Sequence, residues 1–79
     1  MAAITVLYFA SLRDAAGVDS ESVDHAGDLR ALYIGLQAKH GFVLPIERLR
    51  VAMNGAFVRW DDVPGEGAEV VFIPPVSGG

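Results

Sequence analysis

The chain has 79 residues, no cysteine, and a formal charge of −4 from ten acidic and six basic residues. That length supports one small domain that buries about 60% of its unfolded surface, and an apolar content of 52% against 20% charged is too hydrophobic for a disordered segment. The missing thiols exclude a disulfide framework, a thiolate zinc site and a cysteine nucleophile, and fit a reducing cytoplasm; the acidic balance argues against nucleic acid and favours basic protein surfaces as partners. Met1-Ala2-Ala3-Ile4-Thr5 has no basic leader region, and the apolar run after it ends at Ser11, so neither secretion nor membrane insertion is expected.

Ile4 to Ala10 is rich in β-branched and aromatic residues and apolar on both faces apart from Thr5, which predicts a strand in mid-sheet. Ser11 to Gly17 offers a serine N-cap and a glycine C-terminal stop, enough for one or two helical turns. Val18 to Ala26 alternates loosely, carries Asp19, Glu21 and Asp24, and suits a half-exposed edge strand. Asp28 then caps an amphipathic helix whose Leu29, Leu32, Tyr33 and Leu36 form one apolar stripe, closing at Gly41 with Lys39 and His40 in the last turn. Gly35 within it weakens the helix by about 1 kcal/mol relative to alanine, which suggests close approach of a neighbouring strand.

Beyond a loop at Pro45, Leu49 to Met53 alternates, Asn54-Gly55 signals a two-residue hairpin, and Ala56 to Trp60 is the expected partner strand. Asp61 to Gly67 is turn chemistry, and Ala68 to Ile73 is a second dense apolar strand. The first and last strands are the most apolar, so they are expected side by side at the centre, parallel because the helix supplies the crossover. The layout is that of an α+β, β-grasp (ubiquitin-like) domain spanning residues 1–79, with a mixed sheet of about five strands, one main helix on one face and residues 74–79 as a protruding tail.

Little in the body of the chain carries chemistry. There is no Gly-rich phosphate loop, so ATP would be used by an activating partner and no cofactor is expected on this chain. His25 and His40 lack ligands at metal spacing and are assigned surface or cap roles, with no metal expected. Asp61-Asp62 reads as turn formation, Ser11 and Ser77 have no adjacent base, and Arg48, Arg50 and Arg59 read as a solvated face. Trp60, Phe57 and Phe72 are core by default, and any left exposed would be an interface anchor.

Elimination leaves the end of the chain. Phe72 and Ile73 finish the last strand, Pro74 and Pro75 stop the ladder by fixing φ and removing two donors, and Val76-Ser77-Gly78-Gly79 leads to a carboxylate unhindered by side chains. That carboxylate is weakly nucleophilic and has a hydroxide-like leaving group until something activates it; adenylation would give a mixed anhydride open to a persulfide, giving a thiocarboxylate, or to an amine, giving an isopeptide.

Phe72-Ile73-Pro74-Pro75-Val76-Ser77-Gly78-Gly79 resembles the ending Phe-x-Pro-Pro-Val-x-Gly-Gly of the small subunits of molybdopterin synthase. Val6-Leu7-Tyr8-Phe9-Ala10-Ser11-Leu12-Arg13 is similar to that family's first strand and turn, and Val51-Ala52-Met53-Asn54-Gly55 to its hairpin; Gly65-Glu66-Gly67-Ala68-Glu69 departs from its usual Gly-Asp-Glu. The resemblance implies that an E1-like enzyme adenylates Gly79 and that a sulfurtransferase supplies sulfur. It further implies that the thiocarboxylated tail enters the active site of the large synthase subunit, with Phe72, Ile73, Pro74, Pro75, Val76, Ser77 and Gly78 as the partner-binding stretch. There it would donate sulfur to cyclic pyranopterin monophosphate within a heterotetramer whose catalytic side chains belong to the large subunit. A thiamine-pathway sulfur carrier, a ubiquitin-like protein modifier and a passive interaction module remain the alternatives.

Overall fold

A computed structural model of the chain describes residues 2–75. Chain order is β1 (Ala2–Tyr8), α1 (Ala10–Ala16), β2 (Ser20–His25), α2 (Leu29–His40), a single 3₁₀ turn (Ile46–Arg48), β3 (Arg50–Met53), β4 (Ala56–Phe57) and β5 (Glu69–Ile73). The strands form one sheet ordered β2-β1-β5-β3-β4. β1 runs parallel to β5 in the register Thr5↔Glu69 to Tyr8↔Phe72, while the β1–β2, β3–β4 and β3–β5 pairs are antiparallel. The most apolar strands therefore lie adjacent, and β5 has a neighbour on both sides, as expected for the β-grasp layout.

One face of the sheet is covered. Ile4, Val6 and Tyr8 from β1, Val51 from β3, and Val70 and Phe72 from β5 pack with Leu29, Leu32, Tyr33 and Leu36 of α2 and with Leu12 of α1 in a single core. Burying side chains of this size yields roughly 1.5–3 kcal/mol each, which is how a sheet of short strands with one long helix holds together. Aromatic rings fill its centre: Tyr33 meets Phe72 edge-on at 5.2 Å and Trp60 stacks on Phe72 at 5.8 Å.

Helix α2 begins as the sequence implies, with Asp28 Oδ1 accepting from the Ala31 amide at 2.9 Å, and it ends at Gly41 in the left-handed conformation, φ 73°. The first-turn donors are met in a way the sequence does not announce. Leu29 N–H donates to the Asp62 carbonyl and Arg30 N–H to the Trp60 carbonyl, both at 3.0 Å.

That tie explains the main departure from the expected elements. β4 covers Ala56–Phe57 and not Ala56–Trp60, because after the Val58 amide bonds Val51 the chain turns, Arg59 N–H donating to Asp62 Oδ2, and carries its carbonyls to α2. Asp61 and Asp62 thus serve a turn, Asp61 also pairing with Arg59 at 3.3 Å. Three smaller corrections follow. β1 ends at Tyr8 and is buried on one side only; Phe9, not Ser11, occupies the α1 N-cap position and makes no side-chain cap; and Gly35 is exposed, a β-carbon there meeting nothing within 4 Å, so no strand approaches it.

The hairpin itself is as expected. Asn54 and Gly55 both have positive φ, 53° and 87°, the pattern of a type I′ turn, and Asn54 clasps β5 through bonds between its amide and Oδ1 and the Glu69 backbone.

Candidate functional site

Alternation along the strands fixes what the uncovered face presents. With Val6, Tyr8, Val70, Phe72 and Val51 turned to the core, the neighbouring Leu7, Val71 and Ala52 face the other way, and the registers Leu7↔Val71, Val71↔Ala52 and Ala52↔Phe57 set them in one row across four strands. Leu7, Val71 and Ala52 are half-buried, whereas Phe57 is 65% exposed. Ile73, also half-buried, lies one step further toward the C-terminal end of β5, opposite Arg50. Phe57 thus meets the condition set for an interface anchor, Phe72 is core, and Trp60 is partly buried against the core.

β5 delivers the chain end from the middle of this face. Phe72 is fully buried and anchors the strand; Ile73 ends the ladder, Pro74 is half-buried and Pro75 is exposed. Two prolines at this point remove donors that a longer strand would require, so the chain leaves the sheet here. Val76, Ser77, Gly78 and Gly79, the rest of the expected site, lie outside the described residues. Beside the exit, β1 gives way to Phe9, which is 51% exposed, and to Ala10 at φ 51°, a left-handed conformation costly for a residue with a β-carbon. Phe9 follows β1, the neighbour of β5 on one side, whereas on the other side Arg50 is the residue opposite Ile73 and Phe57 lies one strand further away, in the row of Val71 and Ala52.

The polar constellation of the molecule is elsewhere. Glu21 of β2 accepts from the Tyr8 hydroxyl, from His40 Nε2 at 2.6 Å and from Lys39 Nζ at 3.0 Å. A carboxylate only accepts, so Nε2 of His40 carries the proton. Burial alone would raise the Glu21 carboxyl, but the bonds from Tyr8, His40 and Lys39 prevail and bring it down to about 2. Burial, reinforced by the bond to Glu21 and its charge, raises the Tyr8 hydroxyl, which stays protonated as a donor. This cluster joins the edge strand to the end of α2 and opens onto no reacting group among the described residues; His40 is thus held within the fold, while His25 Nε2 bonds the carbonyl of Asp28, the N-cap residue of α2, at 3.0 Å.

Among the described residues no group of three or more histidine, cysteine or acidic side chains is placed to hold a metal ion, and no helix is long and apolar enough to cross a membrane. Two shallow recesses near the α1–β2 connection, of about 370 and 250 Å³, share Arg13 and Asp19, which pair loosely at 3.8 Å in solvent. Neither gathers convergent acid–base groups.

The ThiS family model matches residues 6–79 of the chain. The chain is 38% identical to the molybdopterin synthase sulfur carrier subunit of Chlamydomonas reinhardtii, over 96% of this chain and 98% of that protein. It is 34% identical to the subunit of the same name from Escherichia coli K12, over 96% and 99%. In structure it resembles the small archaeal modifier protein SAMP1 of Haloferax volcanii, with a TM-score of 0.79, 26% identity, and coverage of 98% of this chain and 99% of that one. The β-grasp fold, the full-length family match and these relatives together show that the chain belongs to the ThiS family, as a member of its molybdopterin synthase sulfur carrier subunits.

Proposed function

We propose that the chain carries sulfur on its own C-terminus, as the small, non-catalytic subunit of a cytoplasmic molybdopterin synthase. The carrying observation is the central position of β5: a strand paired on both sides and anchored by buried Phe72 ends at Ile73, from which Pro74 and Pro75 lead the chain out of an apolar sheet face. A carrier needs a rigid body, a docking face and a thin reactive arm, and this arrangement supports all three.

In the proposed sequence an E1-like enzyme joins a Gly79 carboxylate oxygen to the α-phosphorus of ATP, expelling pyrophosphate. A persulfide from a sulfurtransferase then attacks the acyl carbon and expels AMP, and a thiol cleaves the remaining S–S bond to leave the thiocarboxylate. The charged tail next enters the large subunit, whose side chains catalyse transfer of sulfur to cyclic pyranopterin monophosphate, and water returns Gly79 to a carboxylate. Pro74 and Pro75 lower the entropy lost when the arm is ordered, and Gly78 and Gly79 leave the acyl carbon open to each attacking group. Two small and two large subunits would form the working heterotetramer.

The test is single-turnover sulfur transfer from the thiocarboxylated chain to the pyranopterin precursor in the presence of the large subunit. Dithiolene formation is expected with the wild-type chain, and Gly79→Val is expected to fold normally yet transfer no sulfur. A fully active Gly79→Val variant would remove the carboxylate from the mechanism, and sulfur delivered only to a thiazole synthase would reassign the chain to the thiamine pathway. The likeness to SAMP1 favours one second reading, a protein modifier joined to lysines through the same activated carboxylate. An isopeptide-linked product would identify it.

A further inference from the structure

The sulfur-carrier reading leaves one feature of the open face without a role. Arg50 opens β3 opposite Ile73, the last strand residue before Pro74. Its guanidinium carbon lies 5.1 Å from the centroid of the Phe57 ring. Arg13, Lys39 and Arg59 each pair with a carboxylate, whereas Arg50 makes no ion pair with a described one. Stacking on an aromatic ring holds a guanidinium through its face and leaves the N–H donors at its rim free. The face thus offers an aliphatic centre, Leu7, Val71 and Ile73, bordered by a cation that lies over the Phe57 ring.

Building on the reading of the chain as the small synthase subunit, we propose that Arg50, held over Phe57, is the specificity-determining cation of the docking face and receives a carboxylate side chain of the large subunit. The net charge of −4 taken alone points to basic partners; at the tail exit Arg50 reverses that preference. The matching patch is apolar where it covers Leu7, Val71 and Ile73 and carries an aspartate or glutamate opposite Arg50. A partner without that acid would bury a guanidinium unpaired, a penalty that rejects a wrong partner as effectively as the correct pair attracts the right one.

Isothermal titration of the full-length chain with its large subunit, at low and near-physiological salt, tests this. Arg50→Glu is expected to weaken binding by at least about tenfold and to reverse or flatten the salt dependence. Arg50→Gln, which removes the charge without reversing it, gives a smaller loss of the same kind and reads the effect even if the glutamate disturbs the strand. Arg30→Glu changes the net charge identically from an exposed position on α2 and is expected to stay within about twofold of wild type. Equal affinities for wild type and both Arg50 variants would overturn the inference, as would equal losses in Arg50→Glu and Arg30→Glu. Absence of any wild-type binding would overturn the small-subunit reading and this inference together, whereas wild-type binding that ignores Arg50 removes the inference alone.

Discussion

Glu21 shows how much one side chain can settle in a domain this small. Its carboxylate takes donors from Tyr8 in β1 and from Lys39 and His40 at the end of α2, so three elements meet at one group that is only 17% exposed. Because the folded carboxyl sits near 2, below its ordinary 4.5, its contribution is complete above about pH 4.5 and disappears as the pH falls toward 2. Glu21→Gln is accordingly expected to cost about 1.5–3 kcal/mol in urea unfolding at pH 7, the range for hydrogen bonds to a charged group. The gap between variant and wild type should narrow steadily below pH 4.5; a gap independent of pH would mean that the charge is not what holds the cluster. None of this was legible from spacing, since His40 and Glu21 are 19 residues apart and meet only when β2 and α2 are folded together. His25, by contrast, bonds a carbonyl only three residues away, a contact local in sequence.

Among the elements, β5 and α2 carry the most. Phe72 sits between Tyr33 and Trp60 with no exposed surface, and Phe72→Ala is expected to cost about 3–5 kcal/mol, enough to unfold much of a domain of this size. Ile73→Ala, one residue on and half-buried on the open face, should cost well under half of that in thermal or chemical denaturation. Similar losses for the two would show that the inward and outward sides of β5 have been misassigned. For α2, Asp28→Ala removes the one side-chain cap and is expected to cost about 1 kcal/mol, while the Leu29 and Arg30 amides keep their carbonyl partners. The helix was legible because its apolar stripe repeats at helical spacing and its caps are local in sequence. The early end of β4 was not, because it is set by backbone carbonyls of Trp60 and Asp62 that serve a distant helix, and carbonyls carry no residue-specific signal.

At the scale of the whole molecule, the parallel pairing of β1 with β5 across the α2 crossover places the exit of the chain at the centre of the sheet. A terminal strand at an edge would deliver its tail beside the body; a central one delivers it from the middle of the exposed face, where Leu7, Val71, Ala52 and Phe57 also lie. The parallel pair followed from two dense apolar strands and one long crossover, and the end of β5 from two prolines whose backbone effects are local. The open-face row was less accessible, because Leu7 and Val71 look like core in a run of apolar residues until the register shows which side each occupies. The elimination of thiols, phosphate loops and activated nucleophiles left the Gly79 carboxylate as the expected reactive group, and the Pro-Pro-Val-Ser-Gly-Gly ending with the family relationship is the basis for proposing that it carries sulfur.

The most direct measurement is the intact mass of the chain after incubation with an E1-like enzyme, ATP and a sulfur source, followed by fragmentation to locate the change. The account predicts replacement of one oxygen by one sulfur, confined to Gly79, and no change when ATP is withheld. An unmodified terminus in the presence of an active E1-like enzyme, or sulfur fixed at any other residue, would contradict it.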